Sequence, residues 1–433
     1  MLRLALLACL LTTFVVAYEP FSMIFQWKTI SYNWPAEYSE KDARYNYIPE
    51  NNAIAGIKLW KSNMYLTIPR WKSGVPVTLA RTPSTPVQDK KGLRNINPKL
   101  DAYPSWDMQL PGDCNAFQSV QSMEIDPQGR MWVLDTGRTE TMGEHPTVRC
   151  PPRLVILDLE NGGAVLKKFE FPDDVARHNS SYLNDIVLDH EDGGYAYISD
   201  SGLEPAIIVY SLKDDKARKV THETMKAQAD AVRFVVAGTS VIQHVNVDGI
   251  ALSPPGPNRT LYYAPLSSLR LYSVPVEVLR NDSITDLRDY VVDLGDKTSQ
   301  SDGMVMSNAG VLYYGLLADD AIAMWNTSTR QPFATGRRTI SRDHDLTQWP
   351  DTFAFDEVDS LWCVVNSLQN FLNNKVDVTQ NNYRIVSSKV KQRSYQYLPN
   401  NTAPELPVIT AAAGQIRIAM PTAFAILLVF LVC

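Results

Sequence analysis

Six times along the chain the same hydrophobic pattern returns. A small or polar pair leads into an apolar residue that opens a period-2 strand; a polar or glycine turn follows, then a second, aromatic-rich strand. The units are Ala55-Gly56-Ile57 leading to Met64-Tyr65-Leu66, and Gln121-Ser122-Met123 leading to Gly129-Arg-Met-Trp-Val-Leu134. Next come Asn184-Asp185-Ile186 leading to Gly194-Tyr-Ala-Tyr-Ile198, and Asp248-Gly249-Ile250 leading to Thr260-Leu-Tyr-Tyr263. The last two are Asp302-Gly303-Met304 leading to Gly310-Val-Leu-Tyr-Tyr314, and Asp351-Thr352-Phe353 leading to Ser360-Leu-Trp-Cys-Val364. Alternation over such short runs marks half-buried strands rather than helices. The first apolar residues are Ile57, Met123, Ile186, Ile250, Met304 and Phe353, so successive units begin 49 to 66 residues apart. Each interval has room for a four-stranded antiparallel sheet, the blade of a β-propeller, and is too long for the regular short strand spacing of a sandwich.

The predicted fold is therefore all-β, a six-bladed β-propeller over residues 21–398. Residues 25–30 read as a lone strand before the first unit, while the sixth unit is followed by little more than Tyr383-Arg-Ile-Val386. An N-terminal strand that completes the last blade closes the ring and removes its open edge. The connection 32–49 reads as a surface crossover, and the proline-rich stretch 82–111 as a long irregular loop.

Composition agrees with one large closed architecture. The 433 residues are 45% hydrophobic and 20% charged, with 20 Tyr, 9 Trp and 27 Pro, a globular and strand-favouring mixture. Lys+Arg number 41 against 47 Asp+Glu, a net charge of −6 without any basic block, which excludes a nucleic-acid partner.

The two ends read as address rather than fold. Residues 1–17 combine Arg3, an apolar run and a small residue at the cut, the pattern of a secretory signal peptide. Its removal takes away only Arg3, so −6 becomes −7. Residues 399–433 read as a spacer and a C-terminal hydrophobic tail ending at Cys433. Three readings stand for that tail: a signal for a glycolipid (GPI) anchor, a short membrane-anchoring helix, or a buried end. The expected location is extracellular, with attachment to the outer cell surface through the tail under the first two readings.

In an oxidising compartment Cys114 and Cys150 are candidates for a disulfide, whereas Cys363, inside the apolar run Leu361-Trp-Cys-Val-Val365, reads as a buried thiol. Glycosylation sequons stand at Asn179, Asn258, Asn281, Asn326 and Asn400. The sequence contains no CxxC pair, HExxH pair, GxSxG elbow or phosphate-cradling glycine loop. No cofactor or metal is expected.

Several ordered stretches carry a resemblance: Pro69-Arg-Trp-Lys-Ser-Gly-Val-Pro76, Arg130-Met-Trp-Val-Leu-Asp-Thr-Gly137, Cys150-Pro-Pro-Arg-Leu-Val155, Asp248-Gly-Ile-Ala-Leu-Ser253, Leu261-Tyr-Tyr-Ala-Pro-Leu-Ser-Ser268 and Trp349-Pro-Asp-Thr-Phe353. In these the sequence resembles the yellow/major royal jelly protein family of insects, over about residues 25–372. The resemblance implies a six-bladed propeller and a spread of roles: cuticle or eggshell formation, melanin pigmentation, dopachrome conversion, and binding of biogenic amines. Cys363, without a partner, and the anchor-like tail depart from the pattern of a freely secreted member.

In a propeller the innermost strands line a central channel, so the residues that open them are the candidate site. Asn184, Asp185, Asp248, Asp302, Asp351, Thr352 and Phe353 are predicted to gather at one mouth, together with Gly56, Ser122 and Ser301. The carboxylates would attract a small amine or catechol, and Phe353 would stack on its ring. An Asp before a strand also caps local turns, so each has a purely structural reading. Converging oxygens are a calcium pattern too. For proton abstraction from dopachrome the candidate base is His244, in Val241-Ile-Gln-His-Val-Asn-Val-Asp248, with His344 similarly placed before the sixth unit. The alternative is a non-catalytic carrier of a biogenic amine or lipid, or a structural protein.

Overall fold

The computed structural model describes residues 19–409, apart from 40, 43, 44, 89 and 144. The predicted signal peptide and the apolar tail lie outside the described residues. Among those described, no helix is long and apolar enough to cross a membrane.

Six four-stranded antiparallel sheets form a ring, each running outward from the channel in strand order. Blade 1 holds Gly56–Trp60, Asn63–Thr67, Leu79–Pro83 and Asp101–Ala102. Blade 2 holds Val120–Ile125, Arg130–Asp135, Arg153–Asp158 and Ala164–Glu170. Blade 3 holds Leu183–Asp189, Tyr195–Asp200, Ala206–Ser211 and Lys216–Val220. Blade 4 holds Val247–Leu252, Thr260–Pro265, Arg270–Pro275 and Val292–Asp296. Blade 5 holds Met304–Met306, Val311–Leu316, Ala321–Asn326 and Arg338–Arg342. Blade 6 takes Pro350–Phe355, Ser360–Val365 and Tyr383–Lys389 from the end of the chain, and Ser22–Trp27 from its beginning.

The six sequence units are the first two strands of the six blades. Second strands such as Arg130–Asp135 are buried throughout, because neighbouring blades cover both faces, whereas the outer strand Ala164–Glu170 is mostly exposed. Closure follows the predicted route, with Trp27 opposite Tyr383 and Ser22 opposite Ser387. The strand ends at Trp27 rather than at residue 30, since the chain bends there and the Trp27 indole donates to the Pro98 carbonyl at 2.9 Å.

Two connections are more ordered than their sequences suggest. The stretch 82–111 contributes the fourth strand of blade 1, and its Gln109 is buried, accepting from the Thr78 amide at 3.0 Å and donating to the Tyr103 carbonyl at 2.7 Å. The crossover 32–49 is not a bare surface loop: Tyr32 and Tyr45 are buried, and Trp34 stacks on Trp106 with centroids 4.6 Å apart.

All six inner strands run from one end of the channel to the other. At the far end, residues 390–409 cross beneath them. The Tyr395 amide donates to the Met306 carbonyl, the Leu188 amide to the Tyr395 hydroxyl, and Gln396 Nε2 to the Ile125 carbonyl. The described chain thus continues past 398 on the body of the propeller, with Leu406 buried and the Pro407 carbonyl held by Arg130 at 2.6 Å. Cys114 and Cys150 form a disulfide with Cα atoms 5.5 Å apart, and Cys363 is a buried free thiol.

Candidate functional site

A cavity of about 680 Å³ occupies the end of the channel where the inner strands begin. Its floor comes from the first residue of the repeated triads: Gln121, Asn184, Asp248, Asp302 and Asp351 all line it. Trp71, Tyr182 and Trp349 supply aromatic wall.

The sequence brings the acids together by two devices. In blades 3, 4 and 6 the register with the second strand slips between Leu183 and Ile186, Val247 and Ile250, and Pro350 and Phe353, a bulge that re-aims the residues within it. In blades 4 and 5 the acid is followed by glycine. A Cβ on Gly249 would lie 2.4 Å from the Asp302 carbonyl oxygen, and one on Gly303 would lie 2.0 Å from that of Asp351. Only a missing side chain lets adjacent inner strands approach so closely.

Each acid meets a neutral donor. Asp248 Oδ1 accepts from Asn184 Nδ2 at 2.6 Å, Asp302 Oδ2 from the Trp349 indole at 2.7 Å, and Asp351 Oδ2 from Asn366 Nδ2 at 2.5 Å. No Lys or Arg forms an ion pair with any of the three among the described residues. Burial is the largest cause of their raised pKa values, and mutual repulsion adds to it for Asp248 and Asp351, which both stand well above the usual carboxylate range. Asp302 is pushed up to about 7, although the Trp349 indole pulls it back. The cluster therefore holds protons near neutral pH and titrates as a unit.

A hydrogen-bond chain ties the aromatic wall to this floor. The Tyr182 hydroxyl and the Trp71 indole donate to Gln121 Oε1 at 2.6 and 3.1 Å, Gln121 Nε2 donates to Asn184 Oδ1 at 3.0 Å, and Asn184 passes the direction on to Asp248. Such a chain fixes orientation better than isolated bonds do.

The predicted residues divide cleanly. Asn184, Asp248, Asp302 and Asp351 meet at the cavity. Asp185 does not: it holds the second triad position and sits deeper in the channel, accepting from the Ile186 amide at 2.8 Å and the Ile250 amide at 3.2 Å. Burial raises it to about 6 against the pull of Lys58. Ser122, at the same triad position, donates to Asp185 at 3.3 Å. Thr352 turns its hydroxyl to the Ala55 carbonyl at 2.6 Å. Phe353 stacks on no ligand position: it holds the third, core-facing position of its triad and is 1% exposed, packed among Val305, Tyr313 and Cys363. His244 lies on the exposed rim of the cavity, whereas His344 is outside it, bound to Asp320.

Trp71, Gln121, Tyr182 and Arg138 were not anticipated. Gln121 is legible in principle, because it is the first residue of its triad; the others come from loops and a short ribbon with no repeat to mark them. Of the sequons, Asn258, Asn281 and Asn400 are exposed, Asn326 is half-buried, and exposed Asn179 stands at the cavity mouth. No group of three or more His, Cys, Asp or Glu side chains suited to a metal ion occurs among the described residues.

Residues 118–396 match the family model described as Major royal jelly protein. The chain is 29% identical to Protein yellow of Drosophila yakuba over 378 residues, covering 84% of this chain and 68% of that protein. It is 25% identical to Dopaminechrome tautomerase of Drosophila melanogaster over 391 residues, covering 86% of this chain and 82% of that protein. Among solved structures, the luciferin-regenerating enzyme aligns over 83% of this chain and 98% of its own, with a TM-score of 0.47 and 12% identity.

Proposed function

The chain belongs to the yellow/major royal jelly protein family, and from that membership we propose that it acts in pigment chemistry outside the cell, converting a catecholamine-derived indoline quinone in the channel cavity. A relative named for dopaminechrome tautomerisation supports the reaction class. The observation that carries the reading is the group of three buried acids without an ion-pair partner among the described residues, facing a cavity with aromatic walls.

Conversion of an indoline-5,6-quinone to a 5,6-dihydroxyindole is an isomerisation. Ring carbons C2 and C3 each lose a proton, the electron pairs left behind form the C2–C3 double bond and reduce the quinone, and its two oxygens each gain a proton. In a carboxylated substrate, loss of carbon dioxide from C2 can replace loss of that proton, and the solvent then supplies the second proton taken up by oxygen. No external oxidant enters. What the reaction needs is a group that takes a proton from carbon and a neighbour that gives one to oxygen, each with a pKa near working pH. Asp302, raised to about 7, suits the base, and protonated Asp248 or Asp351 suits the acid.

The test is loss of quinone absorbance on incubating purified protein with dopachrome and with dopaminechrome. Asp302→Asn is expected to lower kcat by about 10²–10³-fold, the scale of one general acid–base group. No acceleration over buffer by the unaltered protein would overturn the catalytic reading. A second reading, a non-catalytic amine carrier, is favoured by the same acids, which would receive an ammonium group beside Trp71 and Tyr182. Heat of dopamine binding without quinone turnover would select it. The disulfide, the exposed sequons and the apolar N-terminus support secretion with glycosylation, and the C-terminal tail supports attachment to the cell surface.

A further inference from the structure

Two cationic side chains stand on the wall of this acidic cavity, Arg138 and the exposed Lys226. Arg138 follows the turn that ends the second strand of blade 2 and begins a short ribbon, Arg138–Thr139 paired with Thr147–Val148. The turn packs closely on the neighbouring chain: Gly137 sits at φ 68°, and a Cβ there would lie 2.2 Å from the Cys150 carbonyl oxygen. Arg138 Nη1 donates to the Ser181 carbonyl at 3.0 Å across to the neighbouring blade, which aligns the guanidinium along the cavity wall.

The rest of that guanidinium is under-used. Its Nε–H is buried and finds no acceptor. Arg138 forms no ion pair among the described residues, and the carboxylate that acts on it through space, Asp200, directs Oδ1 to the Tyr182 and Gly202 amides at 2.7 and 2.9 Å. Arg130 and Arg259 also keep one buried N–H without an acceptor, but both are ion-paired, to Asp126 and Asp189, and Arg70 uses every nitrogen. Fully buried, it donates from Nε, Nη1 and Nη2 to five carbonyls, those of Val75, Phe117, Gln118, Pro76 and Gln109. What sets Arg138 apart is that it lines the cavity without a carboxylate partner of its own, and its planar fork suits a carboxylate.

We propose that Arg138 receives the carboxylate of the substrate, so that the cavity prefers an indoline-2-carboxylate quinone, derived from an amino acid, over its decarboxylated, amine-derived counterpart. This rests on the reading of the cavity as an indoline-quinone site, and it makes Arg138 a specificity-determining residue rather than an acid or base.

The experiment measures binding and turnover separately. Calorimetry with the stable probes indole-2-carboxylate and indole is run on the full protein, Arg138→Gln and Arg138→Lys. Arg138→Gln is expected to weaken indole-2-carboxylate about 10–100-fold and to leave indole within about twofold, with Arg138→Lys between the two. Steady-state rates should follow: kcat/KM for dopachrome falls by about the same factor, through KM, while that for dopaminechrome holds. Equal binding of the two probes by the unaltered protein, or an Arg138→Gln variant whose two affinities both stay unchanged, overturns the inference even where turnover persists. A protein that turns over neither quinone but keeps an Arg138-dependent preference for the carboxylate overturns the catalytic reading and sustains this one.

Discussion

The two ends of the channel are built by the same six strands, yet they treat buried charge in opposite ways. Where the strands finish, Lys58 Nζ meets Glu124 Oε2 at 2.9 Å, with both side chains nearly inaccessible, and Lys58 also donates to the Phe353 carbonyl at 3.4 Å. The crossing segment lies over this pair, so that only about 40 Å³ of space remains there. Where the strands begin, three acids line about 680 Å³ and meet neutral donors, with no ion pair to any of them among the described residues. Burial of charge is tolerable when it is paired and penalised when it is not. The closed end is therefore a finished structure. The open end is a stressed one, and the stress is relieved by a bound proton or by a cationic or hydrogen-bonding ligand.

The sharpest way to break this contrast is to remove the cation from the closed end. Lys58→Met leaves Glu124 buried without its partner and is expected to destabilise the fold by about 3–5 kcal/mol, read from urea or thermal unfolding. A loss below about 1 kcal/mol would mean that water reaches the pair. At the open end the corresponding change has the opposite sign. Folded Asp302 binds its proton more tightly than the unfolded carboxyl, raised from 3.8 to about 7, so its contribution is complete below about pH 4 and vanishes as pH rises through about 7. Asp302→Asn, which keeps an acceptor for the Trp349 indole and has no such proton to lose, should flatten that decline. It should be more stable than the unaltered protein at pH 8 by about 2–4 kcal/mol. Parallel stability curves from pH 4 to 8 would show that the acid is not confined as described.

A smaller change tests how the acids are held together. Gly303→Ala drives a methyl against the Asp351 carbonyl, and the strands must part to admit it. An expected loss of about 1–3 kcal/mol in stability should be accompanied by a fall in turnover larger than a uniform loosening would cause, because the acids are displaced with the strands.

How much of this was legible in the sequence follows from burial. First and second strands alternate or run apolar because blades cover them on both faces, and they gave the six units, the ring and its closure. Fourth strands such as Arg338–Arg342 face solvent and carry no periodic signal, and blade 1's fourth strand, only two residues long, reads as loop. At the site, the triads named the correct neighbourhood but not which of two adjacent residues faces the cavity. The bulges decide that, turning Asn184 toward the cavity and Asp185 into the channel. Phe353 departs from expectation for a related reason: its aromatic character suggests a ligand surface, while its place in the triad, shared with Ile57 and Ile250, is a core position. Arg138 and Trp71 could not be found from the repeat, since long-range loop packing alone brings them to the cavity.

The smallest expected effect concerns the residue that the sequence favoured as base. His244 is exposed on the rim and makes no hydrogen bond or ion pair among the described residues. A general base has to be held within hydrogen-bond reach of the proton it takes and oriented by a partner. Without a partner, the imidazole has neither the fixed direction nor the sheltered position of Asp302. His244→Ala is therefore expected to change stability by less than about 0.5 kcal/mol and kcat by less than about threefold, with any effect appearing in KM as a change at the mouth. A loss of kcat as large as that of Asp302→Asn would move the proton transfer from the floor to the rim. It would also mean that the stressed end of the channel serves to bind its ligand and not to transform it.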